Sequence, residues 1–157
     1  VIPDGVKEIG ASAFSGCTGF DGTLTLSNKL ETIGVSAFNG CTGFTGSLTL
    51  PSSVTTIGQS AFSACRSFTS LELPNTLSVI PIQAFMHCRS LSGELVIPAS
   101  VTEIGNLAFY DCQNLSAVTG QVTLPKSLKK LVKMFFLTLI ILTLLISSHY
   151  QKVYRDS

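Results

Sequence analysis

Five Ala-Phe pairs, at Ala13-Phe14, Ala37-Phe38, Ala61-Phe62, Ala84-Phe85 and Ala108-Phe109, set successive phenylalanines 24, 24, 23 and 24 residues apart, and a cysteine follows each Phe by three. A unit this short cannot bury its own apolar face, so the period demands a solenoid in which neighbouring units share one core. Residues 53–65, Ser-Val-Thr-Thr-Ile-Gly-Gln-Ser-Ala-Phe-Ser-Ala-Cys, show the repeat in its clearest form. Five units and a partial sixth exceed the roughly three that such a stack needs for stability. Only 12% of the 157 residues are charged and 45% are hydrophobic, which suits a chain dominated by inward columns.

Each part of the repeat has a local reading. The segments Thr23–Leu26, Ser47–Leu50, Ser70–Leu73, Glu94–Ile97 and Gln121–Leu124 alternate apolar and polar residues with period two and contain good strand formers. They are expected to stack as one parallel sheet, with Leu, Val and Ile inward and the intervening residues outward. Pro3, Pro51, Pro74, Pro98 and Pro125, with Ser27 once in their place, close each strand, because proline donates no ladder hydrogen bond. A turn should follow each. Ile9, Ile33, Ile57, Ile80 and Ile104 should form a second inward column. The residue after that Ile is Gly in four units and Pro81 in the fourth. Proline holds φ near about −65°, so glycine at this position is expected to serve close approach and not a left-handed backbone. Ala and Cys four apart, with Phe and Cys three apart, share one helical face, which predicts a single turn of α or 3-10 helix beginning near Ser12, Ser36 and Ser60.

The pattern then breaks. Cys112 to Pro125 is 13 residues against 10 for Cys41 to Pro51, which reads as about three inserted residues around Ala117–Gly120. Leu128 and Leu131 start a sixth unit, and residues 134–146 are then apolar or Thr, without charge. The division expected is a repeat array over 1–131, a candidate transmembrane helix over 132–149 and a polar tail over 150–157. Counted outward from Leu131 to Ser148 the tract is 18 residues with Lys133 as its sole charge, near the lower limit of about 17–25 residues for a spanning helix. A reading-frame or gene-model error at the end of repeat six would give the same break. Lys126, Lys129, Lys130 and Lys133 precede the tract and only Lys152 and Arg155 follow it, so the positive-inside rule places the repeats in the cytoplasm. Val1-Ile2-Pro3 already closes a repeat strand, which reads as a fragment or processed product.

Charge and chemistry narrow the function classes. Residues 1–125 carry four Lys/Arg and eight Asp/Glu, net −4, while 126–157 carry six and one, net +5. That balance argues against nucleic acid as a partner of the repeats. One cysteine per unit is neither a zinc spacing nor a small disulfide scaffold. Stacked cysteines would point the same way at a strand spacing of about 4.8 Å, too wide for the Cβ separation of a disulfide, so free buried thiols are expected. His87 and His149 are 62 residues apart and match no triad or metalloenzyme motif, so neither catalytic residues, metal ligands nor a cofactor are assigned. Asn114-Leu115-Ser116 is a formal N-glycosylation sequon whose Leu is expected to be buried.

The consensus Pro-x-Ser-Val-Thr-x-Ile-Gly-x-x-Ala-Phe-x-x-Cys-x-x-Leu/Phe, as in Pro51 to Phe68 and Pro98 to Leu115, resembles the BspA-type (TpLRR-like) leucine-rich repeats. The resemblance implies a repeat solenoid, a right-handed β/α superhelix with a parallel concave sheet and short α or 3-10 turns on the convex side, here followed by an apolar C-terminal helix. Members are commonly surface proteins of bacteria and parasitic protists that adhere to host matrix proteins or to other cells. The resemblance brings no catalytic residues. Solenoids recognise partners on their extended concave side, which makes Thr23, Thr25, Ser47, Thr49, Ser70, Glu72, Glu94, Val96, Gln121 and Thr123 the candidate protein-binding face. Cell-surface display follows from the family against the flanking charges, since long domains translocate regardless of them. The competing function is a spacer or array fragment with no binding of its own.

Overall fold

The computed structural model describes residues 1–120, a parallel β-solenoid of about five turns. Short strands β1 (Glu8–Ile9), β2 (Thr32–Ile33), β4 (Thr56–Ile57), β6 (Val79–Ile80) and β8 (Glu103–Ile104) line one side. Longer strands β3 (Gly46–Thr49), β5 (Phe68–Glu72), β7 (Ser92–Ile97) and β9 (Asn114–Gly120) line another. All pairing is parallel, and Ile9, Ile33 and Ile57 face one another in register through β1, β2 and β4. The turn expected after each closing proline is present at the four that are described, with Val6, Val54, Leu77 and Val101 donating to the carbonyls of Pro3, Pro51, Pro74 and Pro98. Where Ser27 replaces proline, Leu30 makes the same bond, and the buried hydroxyl accepts from the Lys29 amide at 3.2 Å. Serine thus rebuilds with its side chain the turn that proline sets by its ring.

The core is a set of columns. Phe14, Phe38, Phe62, Phe85 and Phe109 stack with centroids 5.2, 5.3, 5.6 and 5.4 Å apart and planes within 13° of parallel. Phe20, Phe44 and Phe68 form a second stack beside them. Gly34, Gly58 and Gly105 sit where one coil's backbone presses closely on the next. A Cβ on Gly34 would lie 2.6 Å from the Ala11 nitrogen, and one on Gly58 2.3 Å from that of Val35. Neither glycine has positive φ, so glycine here serves close approach, as Pro81 at the equivalent position implies.

Four expectations require correction, and the first is the strand at Thr23–Leu26, which does not form. No helix occurs among the described residues, and the Ser-Ala-Phe segment is neither α nor 3-10. Ser12, Ser36, Ser60, Gln83 and Leu107 all have left-handed φ of 53–60°, which breaks any helical run. Amides alternate in direction instead. Ala13, Ser15 and Cys17 donate three residues back, while Ser12, Phe14 and Gly16 donate to Val35, Ala37 and Asn39 of the next coil. The segment is therefore half turn and half ladder, and its spacing of three and four residues mimics a helical face.

The expected single sheet is also divided. Hydrogen-bonded order is β1-β2-β4 and β6-β8 on one side, β3-β5 and β7-β9 on the other, so pairing stops between the third and fourth units on both. On the short-strand side the cause is Pro81. Gly34, Gly58 and Gly105 each donate to the Ile of the preceding coil at 2.7–2.8 Å, and proline has no N–H to do so. On the other side unit 3 is one residue shorter than units 2 and 4 and lacks the glycine that takes φ +74° at Gly46 and Gly93. That difference does not account for the gap, because β3 pairs with β5 and β7 with β9 across the same one-residue difference.

The fifth strand lies earlier than expected. Leu95 pairs with Val118 and Glu94 with Ala117, so β9 occupies the stretch read as an insertion. Unit 5 follows the short spacing of unit 3: Val118 is six residues after its cysteine, as Leu71 is. Ala117 and Thr119 take the outward places assigned to Gln121 and Thr123, which themselves lie outside the described residues. The partial sixth repeat, the apolar tract at 132–149 with its expected helix, and the tail at 150–157 lie outside them too. Among the described residues no helix is long and apolar enough to cross a membrane.

Candidate protein-binding surfaces

The strands set the first surface. Alternation along β3, β5 and β7 buries Leu48 and Leu95 and half-buries Leu71, and turns the residues between them outward. Thr23, Thr25, Ser47, Thr49, Ser70, Glu72, Glu94 and Val96 are all exposed, Val96 to 57%. Register brings Ser47 beside Ser70 and Thr49 beside Glu72, and likewise Val96 beside Thr119. The two carboxylates do not meet. Thr49 donates to Glu72 at 3.1 Å from the strand before it, and Thr119 donates to Glu94 from the strand after it. Each acid is thereby drawn away from the joint between β5 and β7. The result is a small-residue, hydroxyl-rich face without aromatic or arginine side chains.

The cysteine column forms the edge where the turns lead back to the strands. All five described cysteines are free, and Cys41, Cys65, Cys88 and Cys112 are buried. They are more than small apolar fillers. Cys41, Cys65, Cys88 and Cys112 donate from Sγ to the carbonyls of Phe14, Phe38, Phe62 and Phe85 in the preceding coil, at 2.9–3.2 Å. Each of these carbonyls also accepts the amide of its own unit's cysteine. Both lone pairs of the oxygen are thus used, which explains why a side chain that is small, apolar and still a weak donor recurs here. Burial pushes the Cys65 and Cys112 thiols up to about 12 and raises Cys41 and Cys88 as well, so these groups stay protonated and unreactive.

Beside this column lies a polar cluster that the separation of the two histidines concealed. His87 and Asp111 both immediately precede their unit's cysteine, so stacking makes them neighbours. His87 Nδ1 lies 2.8 Å from Asp111 Oδ2, and Arg89 Nε donates to the same oxygen at 2.7 Å. Gln113 donates to Oδ1. Burial opposes ionisation of Asp111, but the hydrogen bonds from His87, Arg89 and Gln113 and the Arg89 charge outweigh it, holding the carboxyl down at about 2. The His87 ring meets Tyr110 edge-on at 5.6 Å. The signal that could have found the pair was the 24-residue register itself. No grouping of three or more His, Cys, Asp or Glu able to hold a metal occurs among the described residues.

The columns, turns and free thiols coincide with a known repeat. The family model of the BspA type leucine rich repeat region (6 copies) matches residues 1–116 and again 92–157. The chain belongs to this family. Among solved structures it is similar to a leucine-rich repeat protein from Bacteroides ovatus, at 35% identity and TM-score 0.69, over 75% of this chain and 30% of that one. A leucine rich cell surface protein from Faecalibacterium prausnitzii matches at 28% identity and TM-score 0.61, over 75% and 37% of the two chains. The pneumococcal vaccine antigen PcpA matches at 25% identity and TM-score 0.59, over 76% and 29%. The BspA-type chain thus spans about a third of the length of these relatives. A search among curated proteins gave no match.

Proposed function

We propose that this BspA-type array is a non-enzymatic protein-recognition module of a cell-surface protein, used in adhesion to host matrix proteins or to another cell. The observation that carries the reading is the outward face of β3, β5, β7 and the strandless segment of unit 1, on which the eight assigned residues among those described, Thr23 and Thr25 included, are all exposed on a column-packed stack. Two relatives support surface display: one is described as a cell surface protein and one as a vaccine antigen. Leucine-rich repeats commonly bind proteins through extended faces of this kind. A single short array of small hydroxyl side chains binds weakly, and multivalent display raises its avidity.

The test is binding of the whole chain, displayed on beads, to immobilised matrix proteins and to cells, with Glu72→Lys and Glu94→Lys combined. Binding that changes with the double substitution supports the strand face, and unchanged binding by a folded double variant removes it. The spacer reading has one observation in its favour, the absence from this face of the aromatic and arginine anchors that dominate protein interfaces. Absence of binding at any valency would support it.

A further inference from the structure

Residue types that dominate protein interfaces are unevenly placed in this molecule. Among the described residues the single methionine, the single tyrosine, the single histidine and both arginines stand within two positions of the cysteine column in units 3–5. They are Met86, Tyr110, His87, Arg66 and Arg89. Arginine, tyrosine and methionine are enriched at interfaces, and the first two dominate hot spots. We infer that this edge, and not only the strand face, is a docking surface, and that its partner is a short acidic segment of another protein.

The geometry supports recognition of carboxylates. Arg66 and Arg89 each follow their cysteine directly, so they project from the same position of adjacent coils, and the Ser90 amide donates to the Arg66 carbonyl at 3.2 Å. Arg66 is exposed and makes no ion pair among the described residues. Arg89, half exposed, spends its Nε on Asp111 at 2.7 Å. That bond anchors the guanidinium through Nε and leaves its two terminal nitrogens without a hydrogen-bond partner among the described residues, so they can receive a carboxylate in a forked pair. Asp111, its side chain only 13% exposed, is therefore a positioning residue. Half-buried Met86 and Tyr110 supply apolar surface beside the charges.

Backbone conformation shows how Asp111 comes to stand beside Arg89. The position before each cysteine is left-handed throughout, at Gly16 (φ 73°), Gly40 (74°), Ala64 (58°), His87 (61°) and Asp111 (62°). Glycine adopts this conformation without steric cost, and units 1 and 2 use it. Units 3, 4 and 5 hold side chains there, at Ala64, His87 and Asp111, and of these Asp111 bonds Arg89 directly while His87 bonds Asp111. A long polyanion fits less well than a short segment. The described residues carry four Lys/Arg and eight Asp/Glu, and that field repels an extended acidic polymer beyond the two arginines.

The experiment is a titration of the full chain with fluorescein-labelled hexaglutamate, read by anisotropy at low and high salt and mapped by NMR of arginine side-chain signals. Binding should weaken with salt and shift the Arg66 and Arg89 signals. Arg66→Glu and Arg89→Glu should each weaken it at least tenfold. Lys29→Glu, which changes net charge equally on an exposed site in unit 2, should weaken it less than twofold. Arg89→Lys keeps the charge but not the fork and should weaken it several-fold. Equal losses for Lys29→Glu and Arg66→Glu, shifts confined to other residues, or heparin binding without hexaglutamate binding would each overturn the proposal. Substitution of Glu72 and Glu94 tests the strand face separately, so the two surfaces stand or fall apart.

Discussion

Units 1–3 and units 4–5 build the same coil from different materials. In the first three, Phe20, Phe44 and Phe68 run as a second aromatic column, and Phe14 and Phe38 meet Phe20 and Phe44 edge-on at 5.9 and 6.2 Å. In the last two, Leu91 and Leu115 take that column, and the polar cluster around Asp111 appears at the turn edge. Strand pairing on both sides stops at the joint between them. The turns do not stop. Ser60, Phe62 and Ala64 donate to Ile82, Ala84 and Met86 at 2.7–3.0 Å, the Cys88 thiol reaches the Phe62 carbonyl at 3.2 Å, and Phe62 stacks on Phe85 with planes 2° apart. One side of the solenoid can thus hold a joint that two others leave open, provided the central column passes through it.

The largest effect should therefore come from that column. Phe62 has no exposed surface and lies between Phe38 and Phe85. Phe62→Ala should cost about 3–5 kcal/mol and separate the two blocks into distinct transitions in urea, followed by circular dichroism. Phe20→Ala removes a ring already 38% exposed and should cost about 1 kcal/mol. Equal losses for the two would mean that the column is not what spans the joint.

Next in size is the thiol ladder, which crosses the joint unchanged. Cys65→Ala removes a buried donor to the Phe38 carbonyl and should cost about 1–2 kcal/mol, a hydrogen bond plus a small void. In the native chain an aromatic disulfide reagent at pH 8 should modify half-buried Cys17 well before Cys41, Cys65, Cys88 or Cys112, with peptide mapping to locate the label. Rapid labelling of Cys65 or Cys88 would show that the joint opens.

A smaller effect belongs to the second block alone. Asp111 is held at about 2, below its ordinary 3.8, so it binds protons less readily folded than unfolded. Its contribution is present above pH 3.8 and is lost as pH falls through about 2. Units 1 and 2 carry Gly16 and Gly40 at this place and have no counterpart. Between pH 4 and 2 the thermal midpoint of the native chain should fall more steeply than that of Asp111→Asn. Identical slopes would assign the acid response to other groups.

The architecture was legible because the 24-residue period and the alternating Leu positions both depend on burial, which sequence records directly. Glycine for close approach at Gly34 and Gly58 was legible for a related reason: Pro81 at the same position discloses the allowed φ. Backbone direction was not legible. Phe and Cys three apart suit a helical face as well as an alternating turn ladder, and Gly16 and Gly40 before the cysteines were the only trace of left-handed geometry. The fifth strand was misplaced because Val122-Thr123-Leu124 matches the strand pattern better than Ala117-Val118-Thr119, although counting from the cysteine, as unit 3 requires, gives Val118. Of the candidate sites, the exposure of the strand face followed from alternation. The Arg89–Asp111–His87 cluster needed the coils laid one over another.

The smallest energetic change offers the sharpest view of the joint. Two breaks coincide there, one at the missing amide of Pro81 and one between β5 and β7, and Pro81→Gly separates them. Removing proline frees the unfolded chain and costs about 0.4–1 kcal/mol or somewhat more. A new ladder bond to the Ile57 carbonyl would return about 0.5–1.5 kcal/mol. Net stability should therefore change by less than about 1 kcal/mol, while hydrogen exchange at the new amide should slow to the rates of Gly34 and Gly58. That outcome assigns the short-strand break to proline alone and separates it from the β5–β7 gap. Unprotected exchange at position 81 would mean that the two coils stand apart on both sides for a common reason, and that proline occupies a gap it did not make.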